Sequence, residues 1–92
     1  MKYRIERTKE FRKEYKLCKK RGKDVSKIKY VINQLANGNR LDAKYNDHKL
    51  QEKYKGYREC HIEPDWLLIY TIEDDKLILT LTNTGTHSDL FE

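Results

Sequence analysis

The spacing of hydrophobic residues predicts a strand and then a helix at the start of the chain. Apolar and charged residues alternate over Lys2–Glu6, which is typical of an edge-like strand. Thr8 then offers a side chain that caps helices well. One apolar stripe follows at helical spacing: Phe11, Tyr15 and Cys18. Gly22 favours the end of this helix.

A second helix is predicted directly after the first. Asp24 is a suitable N-cap residue, and Gly38 favours termination. Between them lies the strongest helical stripe of the chain: Ile28, Val31, Ile32 and Leu35. Because the sequence suggests a break of only one or two residues between the helices, we expect a helical hairpin.

Strand spacing replaces helical spacing in the second half of the chain. Apolar and polar residues alternate over Tyr57–Ile62, which places Glu59 and His61 on one face and Cys60 on the other. Trp66–Ile72 and Leu77–Thr82 predict two further strands, joined by a turn at residues 73–75. Three residues of the last strand are expected to face inward: Leu77, Leu79 and Leu81. Adjacent strands with short turns form an antiparallel meander.

These elements predict one α+β domain over residues 1–92, in the order β-α-α-β-β-β. The N-terminal helical hairpin is expected to pack on one face of a twisted, mainly antiparallel sheet. Residues 85–92 follow the last strand as a short tail.

Composition and cysteine content limit the class of protein further. The longest apolar run, Trp66–Tyr70, is far shorter than the roughly 20 residues of a membrane-spanning helix. No targeting segment is recognisable at the start of the chain. Cys18 and Cys60 are widely separated, which fits neither a metal motif nor a disulfide framework and favours free thiols. We therefore expect a cytoplasmic protein that does not bind membranes.

The net charge of +5 is divided unevenly along the chain. Residues 1–58 contain 19 basic and 7 acidic residues, a net charge of +12. Residues 59–92 contain 1 basic and 8 acidic residues, a net charge of −7. So basic a segment in a small domain favours a polyanionic partner, with nucleic acid the first candidate. A lysine-rich, solvated helical face is the alternative interpretation.

The three histidines are the best candidates for acid–base chemistry. None has metal-ligand spacing, so no metal site is predicted, although the fold could still assemble one. The first and third strands of the meander end at the same edge, so His61 and His87 are expected to converge, with Asp65 at the same corner. His48 lies in the loop before the sheet. For each histidine taken alone, an ordinary surface role is the alternative.

Acid, base and cation are the parts that RNA cleavage requires. A base deprotonates the 2′-hydroxyl, an acid protonates the leaving oxygen, and cations stabilise the phosphorane, so neither a metal nor another cofactor is needed. Four residues are candidate cations: Lys49, Lys53, Lys55 and Arg58. Trp66 and Phe91 are candidates to stack on bases, although both also suit a role in the core.

Three segments resemble the YafQ branch of the RelE superfamily of toxins from type II toxin–antitoxin pairs: Asp47–Leu50, Gly56–Tyr70 and Thr84–Phe91. The run H-x-E-P-D-W-L-L-I-Y followed by T-G-T-H-S-D-L-F is specific, and the similarity extends over essentially the whole chain. The resemblance implies a small fold like that of microbial RNases and a ribosome-dependent endonuclease that cuts mRNA in the ribosomal A site. Its implied partners are a cognate antitoxin, the 70S ribosome through its 16S RNA surface, and mRNA.

The same resemblance assigns site residues. His48, His61, Asp65 and His87 match the acid–base set of the family. His87 resembles the general acid, whereas either His61 or Asp65 could be the base. Trp66 and Phe91 match residues that line the family's site.

One position departs from the family pattern. The family usually has Arg directly before the T-G-T-H motif, whereas this chain has Asn83, which donates hydrogen bonds without charge. Either Arg58 or a lysine supplies the cation, or catalysis is slow. A weakly catalytic RNA- or ribosome-binding module that still pairs with an antitoxin is therefore the alternative function.

Overall fold

The computed structural model describes residues 1–91, in which three helices accompany a five-stranded sheet. The helices are α1 (Lys9–Lys20), α2 (Val25–Ala36) and α3 (His87–Phe91). The strands are β1 (Arg4–Arg7), β2 (His48–Lys49), β3 (Arg58–Glu63), β4 (Trp66–Glu73) and β5 (Ile78–Gly85). Single 3-10 turns occupy Ala43–Tyr45 and Glu52–Tyr54.

The sheet is mixed, with strand order β1-β5-β4-β3-β2. Only β1 pairs in parallel, with β5, whereas the other neighbours are antiparallel. This confirms the predicted α+β class and the mainly antiparallel sheet.

Both long helices begin at the predicted caps. The Thr8 hydroxyl accepts a hydrogen bond from the Phe11 amide, and the Asp24 carboxylate accepts one from the Ser26 amide, each at 3.0 Å. The apolar stripe of α2 is buried, as predicted. The break between the helices is longer than expected, because residues 21–24 are needed to end α1 and cap α2.

The structure corrects one further expectation. Leu77 does not face inward: it lies in the β4–β5 turn with φ +55° and is 47% exposed. Residues 87–91 of the tail form α3, a helix that was not predicted, and at its start the Asp89 carboxylate accepts a hydrogen bond from the Thr86 amide. The short strand β2 was also not predicted.

The two faces of the sheet have different roles. On one face, Cys60, Leu68 and Leu79 pack with the buried residues of α1 and α2 in the main core. Leu67 and Ile69 alternate with these residues and lie on the opposite face, outside that core. Glu59 and His61 share this second face because they pair with Ile69 and Leu67 across β3 and β4. Within residues 1–91, no helix is long and apolar enough to cross a membrane.

Candidate active site

The sheet register brings His61 and His87 together, as the sequence predicts. Leu67 on β4 pairs with His61 on β3 and with Gly85 on β5, so the ends of β3 and β5 lie on either side of it. His87 follows two residues after Gly85. The ring centroids of His61 and His87 are 5.8 Å apart. The second face of the sheet therefore presents two imidazoles at one edge.

Asp65 holds His87 through two hydrogen bonds. Its Oδ1 accepts from the His87 backbone amide at 3.0 Å and lies 2.8 Å from His87 Nδ1. These hydrogen bonds lower the pKa of Asp65, the backbone contact most of all, so this group is a carboxylate at neutral pH. A proton on Nδ1 leaves Nε2 as the atom that exchanges protons with a substrate.

Glu59 connects the other two histidines. One of its oxygens lies 3.5 Å from His48 Nε2 and 3.4 Å from His61 Nε2, and the residue is only 5% exposed. Pairing of β2 with β3 sets His48 opposite Glu59. Sequence reasoning missed Glu59 as a site residue, although its spacing of two from His61 on a strand was the available signal.

Aromatic rings border the histidines on the side of α3. The Phe91 ring centroid lies 6.4 Å from that of His87 and 5.5 Å from that of Tyr54. Phe91 is 38% exposed, which suits a residue that lines a substrate site. Tyr54, in the 3-10 turn before β3, was not among the predicted site residues.

Trp66 does not lie where it was expected. It is fully buried in the main core, and its indole nitrogen donates to the Thr84 hydroxyl at 3.0 Å. The Lys23 ammonium covers the ring at 5.4 Å from its centroid. A buried ring offers no face to a base, so the structure contradicts a stacking role for Trp66.

Arg58 lies on the opposite face of the sheet from His61, so it does not face a substrate bound at the histidines. Strand alternation turns it away from Glu59, towards the core face. There its guanidinium forms an ion pair with Asp47 at 3.2 Å and a longer hydrogen bond to the Tyr70 hydroxyl at 3.4 Å. Lys49 pairs with Arg58 across β2 and β3, and Lys55 lines the same pocket as both. Arg58 is thus held on the core face, and the lining of the pocket that it shares with Lys49 and Lys55 includes none of the histidines.

Asn83 is held by a carboxylate. Its Nδ2 donates to Glu14 on α1 at 3.1 Å, and the neighbouring Thr84 amide donates to the same carboxylate oxygen at 3.1 Å. Partial burial raises the pKa of Glu14. Asn83 therefore anchors the end of β5 to α1 and brings no positive charge to the site.

Three groups of the site could together hold a metal ion. Ligand atoms of Glu59, His61 and His87 lie within 4.8 Å of one another. Imidazole and carboxylate ligands suit Zn²⁺ and Cu²⁺.

Comparison with known proteins identifies the class of this chain. The family described as the bacterial toxin of type II toxin–antitoxin systems, YafQ, matches residues 3–92. The mRNA interferase toxin YafQ of Escherichia coli strain K12 is 47% identical over 88 residues, which cover 95% of this chain and 94% of that protein.

Solved structures agree. The crystal structure of the E. coli DinJ–YafQ complex contains a chain with a TM-score of 0.90 and 46% identity, over 98% of this chain and 99% of that one. A crystal structure of a metal-bound toxin from Helicobacter pylori gives a TM-score of 0.91 and 41% identity, over 99% and 100% of the two chains. The fold and sequence thus define a toxin of a type II toxin–antitoxin system. The chain belongs to the YafQ family, which confirms the resemblance found in its sequence.

Proposed function

We propose that this toxin is a ribosome-dependent endoribonuclease that cleaves mRNA in the ribosomal A site. The observation that carries the proposal is the 5.8 Å separation of the His61 and His87 rings, each beside its own carboxylate. Cleavage of RNA by its own 2′-hydroxyl requires two proton-transfer groups close together, one as base and one as acid. The E. coli relative that is named an mRNA interferase supports this assignment.

In the proposed reaction, His61 is the base. It removes the proton of the mRNA 2′-hydroxyl, whose oxygen then bonds to the adjacent phosphorus. Asp65 is a poorer candidate because the hydrogen bonds from the His87 backbone and ring lower its pKa and so make its carboxylate a weaker base. His48 helps to position His61 indirectly, because the same Glu59 oxygen lies beside both rings.

His87 is the proposed acid. As the bond from phosphorus to the 5′-oxygen breaks, His87 gives that oxygen a proton. The products are a 2′,3′-cyclic phosphate and a 5′-hydroxyl, so protons and bonds balance without a metal or another cofactor. Asp65 orients the His87 ring through its contact with Nδ1.

The proposed partners are a cognate antitoxin and the ribosome. The E. coli DinJ–YafQ complex supports an antitoxin partner. The exposed lysines of α1, Lys16, Lys19 and Lys20, support attachment to ribosomal RNA phosphates. Localisation in the cytoplasm, where ribosomes are, is part of the same proposal.

Purified toxin added to a translation extract tests this function. We expect primer extension to find cuts in ribosome-bound mRNA and none in the same mRNA without ribosomes. Equal cutting of free mRNA would contradict ribosome dependence. Salt-dependent ribosome binding without cleavage would instead support a weakly catalytic binding module, which the uncharged Asn83 favours as the second candidate.

A further inference from the structure

The histidines need a cation nearby to stabilise the extra negative charge of a phosphorane. We propose that the groove bordered by Thr8, Lys53, Tyr54 and Asn83 is the RNA subsite beside the histidines, and that Lys53 supplies this cation. The proposal rests on the endoribonuclease function above. It assigns to Lys53 the charge that Asn83 cannot provide.

The groove lies on the same face of the sheet as Glu59 and His61. It has a volume of about 310 Å³, and Ile69 of β4 contributes to its lining. Ile69 pairs with Glu59 on one side and with Asn83 on the other. Two residues of the groove lining, Ile69 and Asn83, are therefore level with Glu59 across the sheet, and the Glu59 carboxylate contacts His48 and His61.

Aromatic contacts connect the groove to the proposed acid. Tyr54 lines the groove, its ring packs edge-on against Phe91, and Phe91 packs against His87. An RNA strand that passes His87 thus meets Tyr54 next. Tyr57, also in the lining, is 37% exposed and presents a further ring for stacking.

Among residues 1–91, Lys53 is the one basic residue in the lining of this groove, which also includes the acidic Glu10. Among the ion pairs found within residues 1–91, none includes Lys53, and its ammonium lies 5.3 Å from the Tyr54 ring centroid. The competing cation Arg58 is neutralised by Asp47 on the other side of the sheet. A lysine without a carboxylate partner, beside exposed aromatic rings, is suited to a nucleotide phosphate.

Single-turnover cleavage on programmed ribosomes, with saturating toxin, tests the subsite. We expect Lys53→Gln to lower the maximal rate by about 10- to 100-fold, because loss of one charge-stabilising donor typically costs about 10²–10³-fold and an exposed lysine contributes less. Lys53→Arg should retain most of the rate. The matched control is Lys55→Gln, two residues away and in a different pocket, which should cleave within about 2-fold of the natural protein.

A positive charge at position 83, where the family usually has Arg, should rescue the Lys53→Gln variant. In the Lys53→Gln background, Asn83→Arg combined with Glu14→Gln should restore about 10-fold of the lost rate, because it places a cation at the same groove and removes the carboxylate that would otherwise pair with it. The pH at which the rate is maximal should not change in either variant, since Lys53 transfers no proton.

The outcomes separate the subsite from the function itself. An unchanged rate for Lys53→Gln, or an equal loss for Lys55→Gln, would overturn the assignment of Lys53. If His87→Gln removes cleavage while Lys53→Gln does not, only the subsite is wrong. If the natural protein does not cut ribosome-bound mRNA, the proposed function fails, whatever Lys53 does.

Discussion

The Asp65 carboxylate and His87 are joined twice, once through the His87 backbone amide and once through the ring nitrogen Nδ1. The two contacts fix both the position of the residue and the orientation of its ring. Asp65 lies in the corner between β3 and β4, whereas His87 begins α3 after β5. A single carboxylate thereby links the central hairpin to the tail that carries the proposed acid.

Replacement of Asp65 tests this link. Asp65→Asn keeps an acceptor for the His87 amide but loses the charge beside the ring, so we expect cleavage at neutral pH to fall by at least about 10-fold. Loss of an acid itself typically costs about 10²–10⁴-fold. Asp89→Asn is the control, because Asp89 also stabilises α3, through Thr86 and Arg21, without contact to the ring. An equal loss in both variants would mean that Asp65 acts only through tail stability.

The same pair predicts a pH dependence of stability. The pKa of Asp65 is lowered in the folded protein, mainly by the hydrogen bond from the His87 amide. The contribution of Asp65 to the free energy of unfolding is therefore fully present above the ordinary Asp pKa of about 3.9. It is lost as pH falls through the lower pKa of the folded state. Thermal unfolding should show Asp65→Asn less stable at pH 6 and indistinguishable from the natural protein in stronger acid. A difference that persists there would contradict this explanation.

Arg58 should matter for stability rather than for the chemical step. Arg58→Ala leaves the Asp47 carboxylate without its ion pair, so we expect the free energy of unfolding in urea to fall by about 1–3 kcal/mol. Cleavage per folded molecule should remain within about 2-fold. A large loss of cleavage rate at unchanged stability would show that Arg58 acts directly in the active site.

Metal ions should inhibit this toxin rather than activate it. Cleavage should continue in excess EDTA, with enough magnesium restored to keep ribosomes intact, and it should leave a 2′,3′-cyclic phosphate. Zn²⁺ or Cu²⁺ should slow cleavage, because Glu59, His61 and His87 can ligate the ion and lose the lone pairs they need. Products with a 3′-hydroxyl end would exclude the proposed mechanism.

The basic face of α1 should contribute to ribosome binding. The triple change of Lys16, Lys19 and Lys20 to Glu should weaken binding and reduce its dependence on salt. Lys23 is left unchanged because it covers Trp66, so its replacement would disturb the core. Unchanged affinity at two salt concentrations would show that α1 is simply a solvated helix face.

Local patterns predicted most of the fold. Thr8 and Asp24 act through neighbouring residues, so their caps were readable from the sequence alone. The convergence of His61 and His87 was also predictable, since it needs only the direction of three consecutive strands. Leu77 was misplaced because its left-handed backbone belongs to a turn that alternation does not reveal.

The remaining site residues depend on long-range packing. Trp66 and Arg58 lie on the core face of the sheet. A sequence motif does not show which aromatic or basic residues point towards the core. The spacing of Glu59 from His61 was a local signal, but the contact of Glu59 with His48 depends on the pairing of β2 with β3. Lys53 could not be separated from Lys49 and Lys55 before their pockets were known.

The central claim is that His87 and His61 together cut the mRNA backbone. The most direct test is single-turnover cleavage of ribosome-bound mRNA by His87→Gln, with ribosome binding and thermal unfolding measured on the same preparation. We predict loss of cleavage by about 10²–10⁴-fold with binding and folding retained, since the change removes the acid and little else. Cleavage at the natural rate by the folded, ribosome-bound variant would contradict the proposed mechanism.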